Sequence, residues 1–436
     1  MDWILPLIIV LSALYGALAF FIHRKNLWED RITFYGPIMA IRSRSVGFFD
    51  RFSSFHAFLR IYGTLGAVIV VMVSVTMVGM LLFSLQYNIV EQPPPTAVNE
   101  LRNVLAIPGV NQFIPFTFAV WFAFVLTLII HEFGHAILSR VEDIKVKYIG
   151  VLLLVIPIGA FVEPDEEEFE KTKGVPKIRM LGAGITNNIV VGLLCFWFLF
   201  FLLGMAVPIQ VPLIKSVYKD YPAATAGIPP DSVIRMVNGI DVTTRDQVSS
   251  ILNTTKPGDT ITLVTEKDQK RFTFVLTLSR WPESMGDQTR RGGFAGVAYY
   301  DAPAVKGVFD RIATPIGILF LMAIPIEIII NPVQWQHFII LINDTTDTVS
   351  WIVPFPQYWF AIQLLFWCAW FNIGVGLCNA LPMVPLDGGY ILKEGVERLM
   401  ERGGLSKYAN YVVSAVSFLM LFVLVTVFTL PVVLHS

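Results

Sequence analysis

Seven long apolar runs constrain what this chain can fold into more than any other feature of the sequence. They lie at about residues 3–22, 63–86, 113–139, 180–206, 306–331, 357–380 and 409–432. The hydrocarbon core of a bilayer is about 30 Å thick, and a helix of about 20 apolar residues crosses it. Apolar residues make up 55% of the chain and charged residues only 15%. The sequence therefore predicts an α-helical multi-pass membrane protein.

The positive charges between the runs predict the orientation of the helices, because short loops rich in Lys and Arg stay in the cytoplasm. The loop after the first run is strongly basic, with Arg24, Lys25, Arg31, Arg42, Arg44, Arg51 and Arg60. The loop at 87–112 contains a single cation, Arg102, so it is expected outside, and the third run then ends near the cytoplasm. By the same rule, the long polar insert at 208–303 lies outside and the basic segment at 393–407 lies in the cytoplasm.

The segment at 393–407 also sets the number of crossings. If the runs 306–331 and 357–380 both crossed, this basic segment would lie outside. The run 306–331 contains Pro315 and Pro325, so we expect it to lie at the interface or to re-enter. About six transmembrane helices remain, and seven is the alternative. The first run precedes its positive charges, which is the reverse of a signal peptide, so we expect it to be retained as a helix.

The net charge excludes a nucleic-acid-binding protein, and the cysteine content excludes a disulfide-rich protein and a zinc site built from cysteines. The net charge is −1, which provides no basic field for nucleic acid. Cys195, Cys368 and Cys378 all lie in apolar stretches. They are too few for a disulfide framework, and their spacing matches no zinc site.

The sequence His-Glu-Phe-Gly-His at 131–135 ends the third apolar run. Positions i and i+4 of a helix share a face, so His131 and His135 can hold one metal ion. Zinc lowers the pKa of a bound water to about 7, and Glu132 can then take its proton. On a solvated helix this pattern could arise by chance. In a membrane helix each ionisable group costs about 2.5–3.5 kcal/mol and marks a functional site, so we predict a catalytic metal centre.

A catalytic zinc ion needs three protein ligands and one open position. Asp387 lies at the cytoplasmic end of the run 357–380, at the depth predicted for the two histidines. The prolines and glycines around it interrupt a regular helix, and irregular backbone at membrane depth is tolerated where it lines a cavity. We therefore predict Asp387 as the third metal ligand, and a solvated aspartate at an interfacial turn is the alternative.

Three motifs together resemble the site-2 protease family of intramembrane zinc metalloproteases. They are the His-Glu-Phe-Gly-His sequence at 131–135, Ala-Gly-Ile-Thr-Asn-Asn at 183–188, and Asn-Ala-Leu-Pro-Met-Val-Pro-Leu-Asp-Gly at 379–388. The second motif departs from the family pattern, which often has proline at the position of Ile185. The insert at 208–303 stands in the family's usual place.

The resemblance implies one zinc ion per chain on the two histidines and the aspartate, with Glu132 as the general base. It implies a substrate that is itself a transmembrane helix, such as a membrane-tethered regulator or a signal-peptide remnant. It also implies that Asn188 and Asn379 position the substrate or the developing oxyanion, with the adjacent Asn187 as an alternative to Asn188. Asn372 is a further buried polar candidate.

A protease that cuts a transmembrane helix must first unwind it, because a helix hides its carbonyls in hydrogen bonds. The stretch 147–162 is apolar and rich in β-branched residues, which predicts a small sheet or hairpin beside the metal helix. An exposed strand edge there could capture an extended substrate. An ordinary packing strand is the alternative.

The exterior insert is predicted to contain a small mixed α/β domain. Residues 211–278 alternate like short strands, with turns at 238–239 and 257–259. The sequence at 221–234 resembles a PDZ domain of the protease-associated type, although the family more often has Gly-Asp at 230–231. PDZ domains bind extended C-termini by strand addition. The insert could dock a C-terminus left by an earlier exterior cut, exclude uncut substrates by size, or be purely structural.

The predicted function is an intramembrane zinc endopeptidase that cleaves transmembrane segments of membrane-tethered substrates in the cell membrane. Its partners are a transmembrane protein substrate, the lipid bilayer and a ligand of the PDZ-like domain such as a cleaved C-terminus; no nucleic acid is expected. One alternative is a prenyl-processing zinc protease, which takes a glutamate as its third ligand. The other is a catalytically inactive, membrane-anchored PDZ adaptor that binds protein C-termini.

The chain divides into five predicted segments. They are an N-terminal transmembrane hairpin with a cytoplasmic loop (1–110), the first half of the protease core (111–207), the PDZ-like exterior domain (208–303), an interfacial or re-entrant segment (304–356), and the second half of the core with the last helix (357–436).

Overall fold

The computed structural model describes residues 4–44, 46–282, 292–330, 338–343 and 349–436, without the side chains of residues 4–8 and 53. The helices are α1 (Ile4–Lys25), α2 (Gly47–Asp50), α3 (His56–Val90), α4 (Phe118–Val141), α5 (Glu166–Lys171), α6 (Val175–Met205), α7 (Pro222–Thr225), α8 (Arg245–Asn253), α9 (Ala302–Ile312), α10 (Pro315–Ile330), α11 (Ile339–Ile342), α12 (Tyr358–Asn379), α13 (Asp387–Arg402) and α14 (Ala409–Leu434). The strands are β1 (Ile32–Tyr35), β2 (Ile38–Ser43), β3 (Val146–Leu154), β4 (Ile156–Pro164), β5 (Val207–Pro208), β6 (Leu213–Val217), β7 (Ser232–Val237), β8 (Ile240–Asp241), β9 (Thr260–Lys267), β10 (Lys270–Thr277), β11 (Val297–Tyr299) and β12 (Trp351–Ile352).

The chain forms two compact units. The membrane unit comprises Met1–Leu199, Leu321–Asp344 and Phe360–Ser436, and the PDZ-like unit comprises Phe200–Phe320 and Thr345–Trp359.

Within the described residues, five helices are long and apolar enough to cross a membrane: α3, α4, α6, α12 and α14. Helix α1 adds 22 residues of mostly apolar sequence. The described part of helix α10 has 16 residues and ends where the described range ends. The predicted fold class, a helical multi-pass membrane protein of about six spans with a small mixed α/β domain, is confirmed. Residues 331–337 and 344–348 of the predicted interfacial segment lie outside the described residues.

Helices α4 and α6 pack closely through small residues. A Cβ atom on Gly134 would lie 2.6 Å from the backbone oxygen of Ala183, so this approach of the two backbones requires glycine. Just beyond the end of α4, the buried carboxylate of Glu142 accepts a 2.9 Å hydrogen bond from Arg179 of α6 and lies 3.6 Å from the guanidinium of Arg60 of α3. These contacts fix three helices at one end of the bundle.

Helix α14 packs against α3 around a proline. Pro431 has no N–H to bond the carbonyl of Val427 one turn earlier. The side chain of Asn88 of α3 donates to that carbonyl at 2.8 Å instead. Asn88, a polar residue in the apolar helix α3, thus provides the hydrogen bond that the carbonyl of Val427 would otherwise lack.

A four-stranded antiparallel sheet in the order β1-β2-β3-β4 belongs to the membrane unit. Strands β3 and β4 form the hairpin predicted at 147–162, with Val155 at φ +67° in the turn. Strand β4 is one edge of the sheet and packs against α4. The sheet therefore places an edge strand beside the helix that carries the His-Glu-Phe-Gly-His sequence.

The PDZ-like unit contains a six-stranded sheet in the order β10-β9-β7-β6-β11, with β8 paired to β7. Its core is formed by buried aliphatic residues from the strands and from α8, among them Ile214, Ile234 and Val248. The predicted turn between β7 and β8 is confirmed, because Asn238 and Gly239 both have positive φ, +49° and +79°. Two successive positive φ values are typical of the type I′ turns that close two-residue hairpins.

Candidate metal centre

Helix α4 places His131 and His135 on one face. The helix starts at Thr117, whose side chain caps the backbone N–H of Val120. The imidazole rings of the two histidines are 4.9 Å apart, and His131 is only 8% exposed. The i, i+4 spacing therefore brings two ring nitrogens to one point inside the membrane unit.

Asp387 reaches the same point from the first turn of α13. The chain leaves α12 and makes a turn over 380–386 before α13 begins. This turn packs tightly against the glycines that follow the aspartate, because a Cβ atom on Gly388 would lie 2.6 Å from the backbone oxygen of Leu381. The glycines thus allow the carboxylate to lie beside the histidines.

The three predicted ligand atoms form a nearly equilateral triangle. Oδ2 of Asp387 lies 3.1 Å from Nε2 of His131 and 3.3 Å from Nε2 of His135, and the two Nε2 atoms are 3.3 Å apart. Ligands at about 2.0–2.1 Å from a tetrahedral zinc ion lie about 3.3–3.4 Å from one another. Oδ2 is also buried without a hydrogen-bond partner among the described residues. The residues therefore fit a zinc ion in both size and donor type.

The outer nitrogen of His135 has a partner that the sequence did not reveal. Its Nδ1 lies 2.9 Å from the backbone oxygen of Met180 in α6. A carbonyl can only accept, so Nδ1 carries the proton and Nε2 keeps its lone pair for a metal. A backbone carbonyl leaves no signature in a sequence.

The two neighbouring asparagines of α6 have different partners. Asn188 is fully buried, and its Nδ2 lies 3.2 Å from Nδ1 of His131. Asn187 accepts a 2.8 Å hydrogen bond from the hydroxyl of Tyr62 and donates over 3.4 Å to the backbone oxygen of Ile130. Asn188 is thus the asparagine that the structure brings to the metal ligands.

Gly184 makes room for both imidazoles. A Cβ atom on this residue would lie 2.5 Å from Nε2 of His135 and 2.7 Å from Cε1 of His131. The sequence motif contained this glycine, but its role becomes visible only when α4 and α6 are packed together.

Glu132 follows the first histidine and is partly buried. Its carboxylate interacts with the backbone N–H of Val162 in β4 and electrostatically with His131, His135 and Asp387. The predicted base therefore interacts both with the three predicted ligands and with the edge strand of the sheet.

The other two asparagine candidates lie on α12. Asn379 is its last residue and is partly buried, and within the described part of the chain its side chain has no hydrogen-bond partner. Asn372 is fully buried and donates at 2.8 Å to the hydroxyl of Thr127 in α4 and to the backbone oxygen of Cys368. The contacts of Asn372 are those of a helix-to-helix polar link.

The chain is similar to several proteins named as metalloproteases. The profile of peptidase family M50 matches residues 119–424. A protein of Mesorhizobium japonicum, provisionally named a zinc metalloprotease, is 27% identical over 64% of this chain and 89% of its own length. The zinc metalloprotease RasP of Bacillus licheniformis is 27% identical over 61% of each chain. A site-2 protease homologue of Arabidopsis thaliana is 31% identical over 27% of this chain and 24% of its own.

Part of the chain is also similar to solved structures. One of them is the PDZ domain of an SdrC-like protein of Listeria monocytogenes, which is 20% identical, has a TM-score of 0.19, and matches over 22% of this chain and 93% of that domain. A TM-score of this size carries no argument about function.

Proposed function

The chain belongs to peptidase family M50, and from this premise we propose that it is an intramembrane zinc endopeptidase of the site-2 protease type. Its proposed substrates are transmembrane segments of membrane-tethered proteins. The triangle of His131, His135 and Asp387 beside Glu132 is the observation that carries the proposal, because both histidines lie on α4, a helix able to cross a membrane.

The proposed ligand set leaves the fourth tetrahedral position to the reaction. A zinc ion held by His131, His135 and Asp387 would supply a bound water with a pKa of about 7 and a Lewis acid for the scissile carbonyl. The prenyl-processing alternative requires a glutamate as the third ligand, and the short distances of 3.1 and 3.3 Å from Oδ2 of Asp387 to the two histidine nitrogens support an aspartate in that role instead.

Glu132 is proposed to move the proton. Its carboxylate accepts a proton from the attacking water and delivers it to the leaving amine, which is the role of a general base and then a general acid. Three protein ligands and a separate carboxylate suit catalysis, because a structural zinc site closes its fourth position and needs no base.

Strand β4 is proposed to hold the substrate in an extended form. It is an edge strand, and the backbone N–H of Val162 faces the carboxylate of Glu132. A substrate segment that pairs with such an edge leaves its helix and exposes its carbonyls. The hairpin would thus supply the unwinding that cleavage of a helical segment requires.

The orientation in the membrane is part of the proposal. Arg140 lies in the last turn of α4, and Lys145 and Lys147 follow the helix, which supports a site near the cytoplasmic side. The PDZ-like unit would then lie outside. It would either dock the C-terminus of a substrate already cut outside or exclude uncut substrates.

Cleavage of a model transmembrane peptide by the full chain in detergent tests the proposal. We expect wild type to cut, and Glu132→Gln and a chelated sample to be inactive, while Glu132→Gln still binds one zinc ion per chain. Glu167→Gln is a matched control, because that carboxylate is 77% exposed on α5, and it should cut like wild type. Equal cleavage by wild type and Glu132→Gln would refute the mechanism. Zinc binding without cleavage of any peptide, together with binding of free C-termini, would favour the PDZ adaptor.

A further inference from the structure

Asn188 contacts a metal ligand in a way that leaves one of its atoms unsatisfied. Its Nδ2 lies 3.2 Å from Nδ1 of His131, and its Oδ1 is buried without a hydrogen-bond partner among the described residues. The side chain is fully buried. A buried acceptor without a donor loses its hydrogen bonds to water and gains none in return, so this arrangement requires an explanation.

The chemistry of imidazole provides one. A neutral histidine that binds metal through Nε2 carries its proton on Nδ1, which is then a donor and needs an acceptor. Nδ2 of an amide cannot accept. A half turn of the Asn188 amide exchanges its oxygen and nitrogen in the same space, so that Oδ1 accepts from Nδ1 of His131 and is no longer unsatisfied.

The other histidine follows the same rule. Nδ1 of His135 donates to the backbone oxygen of Met180. Both imidazoles are then held by acceptors from α6, one from the backbone and one from a side chain. Such partners fix the tautomer and the orientation of a ligand ring.

We propose that Asn188 is a positioning residue for His131: its Oδ1 accepts the Nδ1 proton and so holds Nε2 ready for the metal. This rests on the proposed zinc site and differs from the role in substrate or oxyanion binding that the family resemblance implied. An oxyanion or a substrate carbonyl needs a donor, whereas Nδ1 of the ligating imidazole needs an acceptor. The two roles are therefore separable by a substitution that keeps only the acceptor.

Three variants of the full chain in detergent make this test. Asn188→Asp keeps the size and replaces the amide by two acceptor oxygens, and Asn188→Leu keeps the approximate size without a donor or an acceptor. Asn187→Leu is the matched control, because the neighbouring side chain contacts the hydroxyl of Tyr62 and the carbonyl of Ile130 rather than a ring nitrogen. The readouts are the dissociation constants for zinc and cobalt(II) by chelator competition, and the visible absorption of the cobalt(II) protein.

We expect Asn188→Leu to bind zinc about 10- to 100-fold more weakly, as is usual when the outer partner of a ligand histidine is lost. Asn188→Asp should bind zinc at least as tightly as wild type and keep the cobalt(II) absorption. Asn187→Leu should bind zinc within about twofold of wild type, even if its melting temperature falls.

Two results would overturn the inference while the zinc site stands. One is wild-type zinc affinity in Asn188→Leu, and the other is a loss in Asn188→Asp as large as in Asn188→Leu. If Asn188→Leu does not fold, Asn188→Asp alone tests the inference. An aspartate has no N–H to donate, so this variant would bind zinc weakly if His131 needed a donor at residue 188. A wild-type protein that binds neither ion would remove the proposed function and this inference together.

Discussion

The close approach of Gly184 to both imidazoles makes a single methyl group a test of the metal centre. In Gly184→Ala the new Cβ atom would lie 2.5 Å from Nε2 of His135 and 2.9 Å from Nδ1 of His131. Ordinary contacts of a Cβ atom begin at 3.4 Å, so one ring or the whole of α6 must move by about 1 Å. The distances of a metal site tolerate only about 0.2 Å.

Neither imidazole ring can rotate away from the new methyl group without losing a contact. Nδ1 of His135 is bound to the carbonyl of Met180 and Nδ1 of His131 lies against Asn188. Overpacking of this kind costs about 1–3 kcal/mol. If that cost falls on the ligand geometry, zinc affinity drops by about 5- to 140-fold, since 1.4 kcal/mol corresponds to a factor of ten.

Gly182→Ala is the matched control for this substitution. It lies on the same helix two residues earlier, and its new Cβ atom would lie 3.6 Å from Val70 and 3.7 Å from Ile391, which are ordinary contacts. Because alanine is also the better helix former by about 0.5–1 kcal/mol, we expect unchanged zinc affinity and unchanged or slightly higher thermal stability.

The assay is zinc competition with a chromophoric chelator on detergent-solubilised protein, with melting temperature measured in parallel. Weak zinc binding in Gly184→Ala and normal binding in Gly182→Ala would support the geometry. Equal zinc affinities in Gly184→Ala and wild type would show that the histidines do not lie against α6 as described, and the assignment of the ligand atoms would fail with it.

Two further predictions concern stability and are read out by thermal unfolding in detergent. Asn88→Leu should lower the free energy of unfolding by about 1–3 kcal/mol, because it leaves the carbonyl of Val427 unpaired. In a Pro431→Ala background the backbone N–H of residue 431 can bond that carbonyl, so Asn88→Leu should cost less there. Equal costs in the two backgrounds would contradict this explanation. Glu142→Gln should lower the free energy of unfolding by about 1–3 kcal/mol, because Arg179 loses its counter-charge. The loss should be smaller than for a fully buried ion pair, because Arg179 is partly exposed. An unchanged melting temperature would show that the ion pair is not stabilising.

The predicted metal ligands could be named from the sequence because their signal is local. Two histidines one helical turn apart need only the helix period, and Asp387 was located by its depth at the end of an apolar run. The choice between Asn187 and Asn188 could not be made from the local sequence. Adjacent helical residues point about 100° apart, so the packing of α6 on α4 decides which one meets His131.

The sheet shows a second limit of sequence reasoning. The hairpin at 147–162 was predicted from β-branched residues, whereas the segment 32–43 was predicted only as part of a cytoplasmic loop. The structure pairs β2 with β3, Ile41 opposite Val151, and so adds two strands from before the third helix. Pairing between strands so far apart in sequence depends on tertiary packing, and a short strand such as β1 with 4 residues carries too weak a pattern to reveal it.

The triangle of ligands joins two parts of the chain that are made at different times. More than half of the sequence separates His135 from Asp387. At about 5–20 residues per second, the ribosome needs about 10–50 s to travel that distance. During this interval α4 carries the two histidines and the proposed general base, while the proposed third ligand has not yet been made. Metal loading of the proposed site, and with it the proposed ability to cut neighbouring chains during membrane insertion, would therefore be postponed until the last helices are being placed in the bilayer.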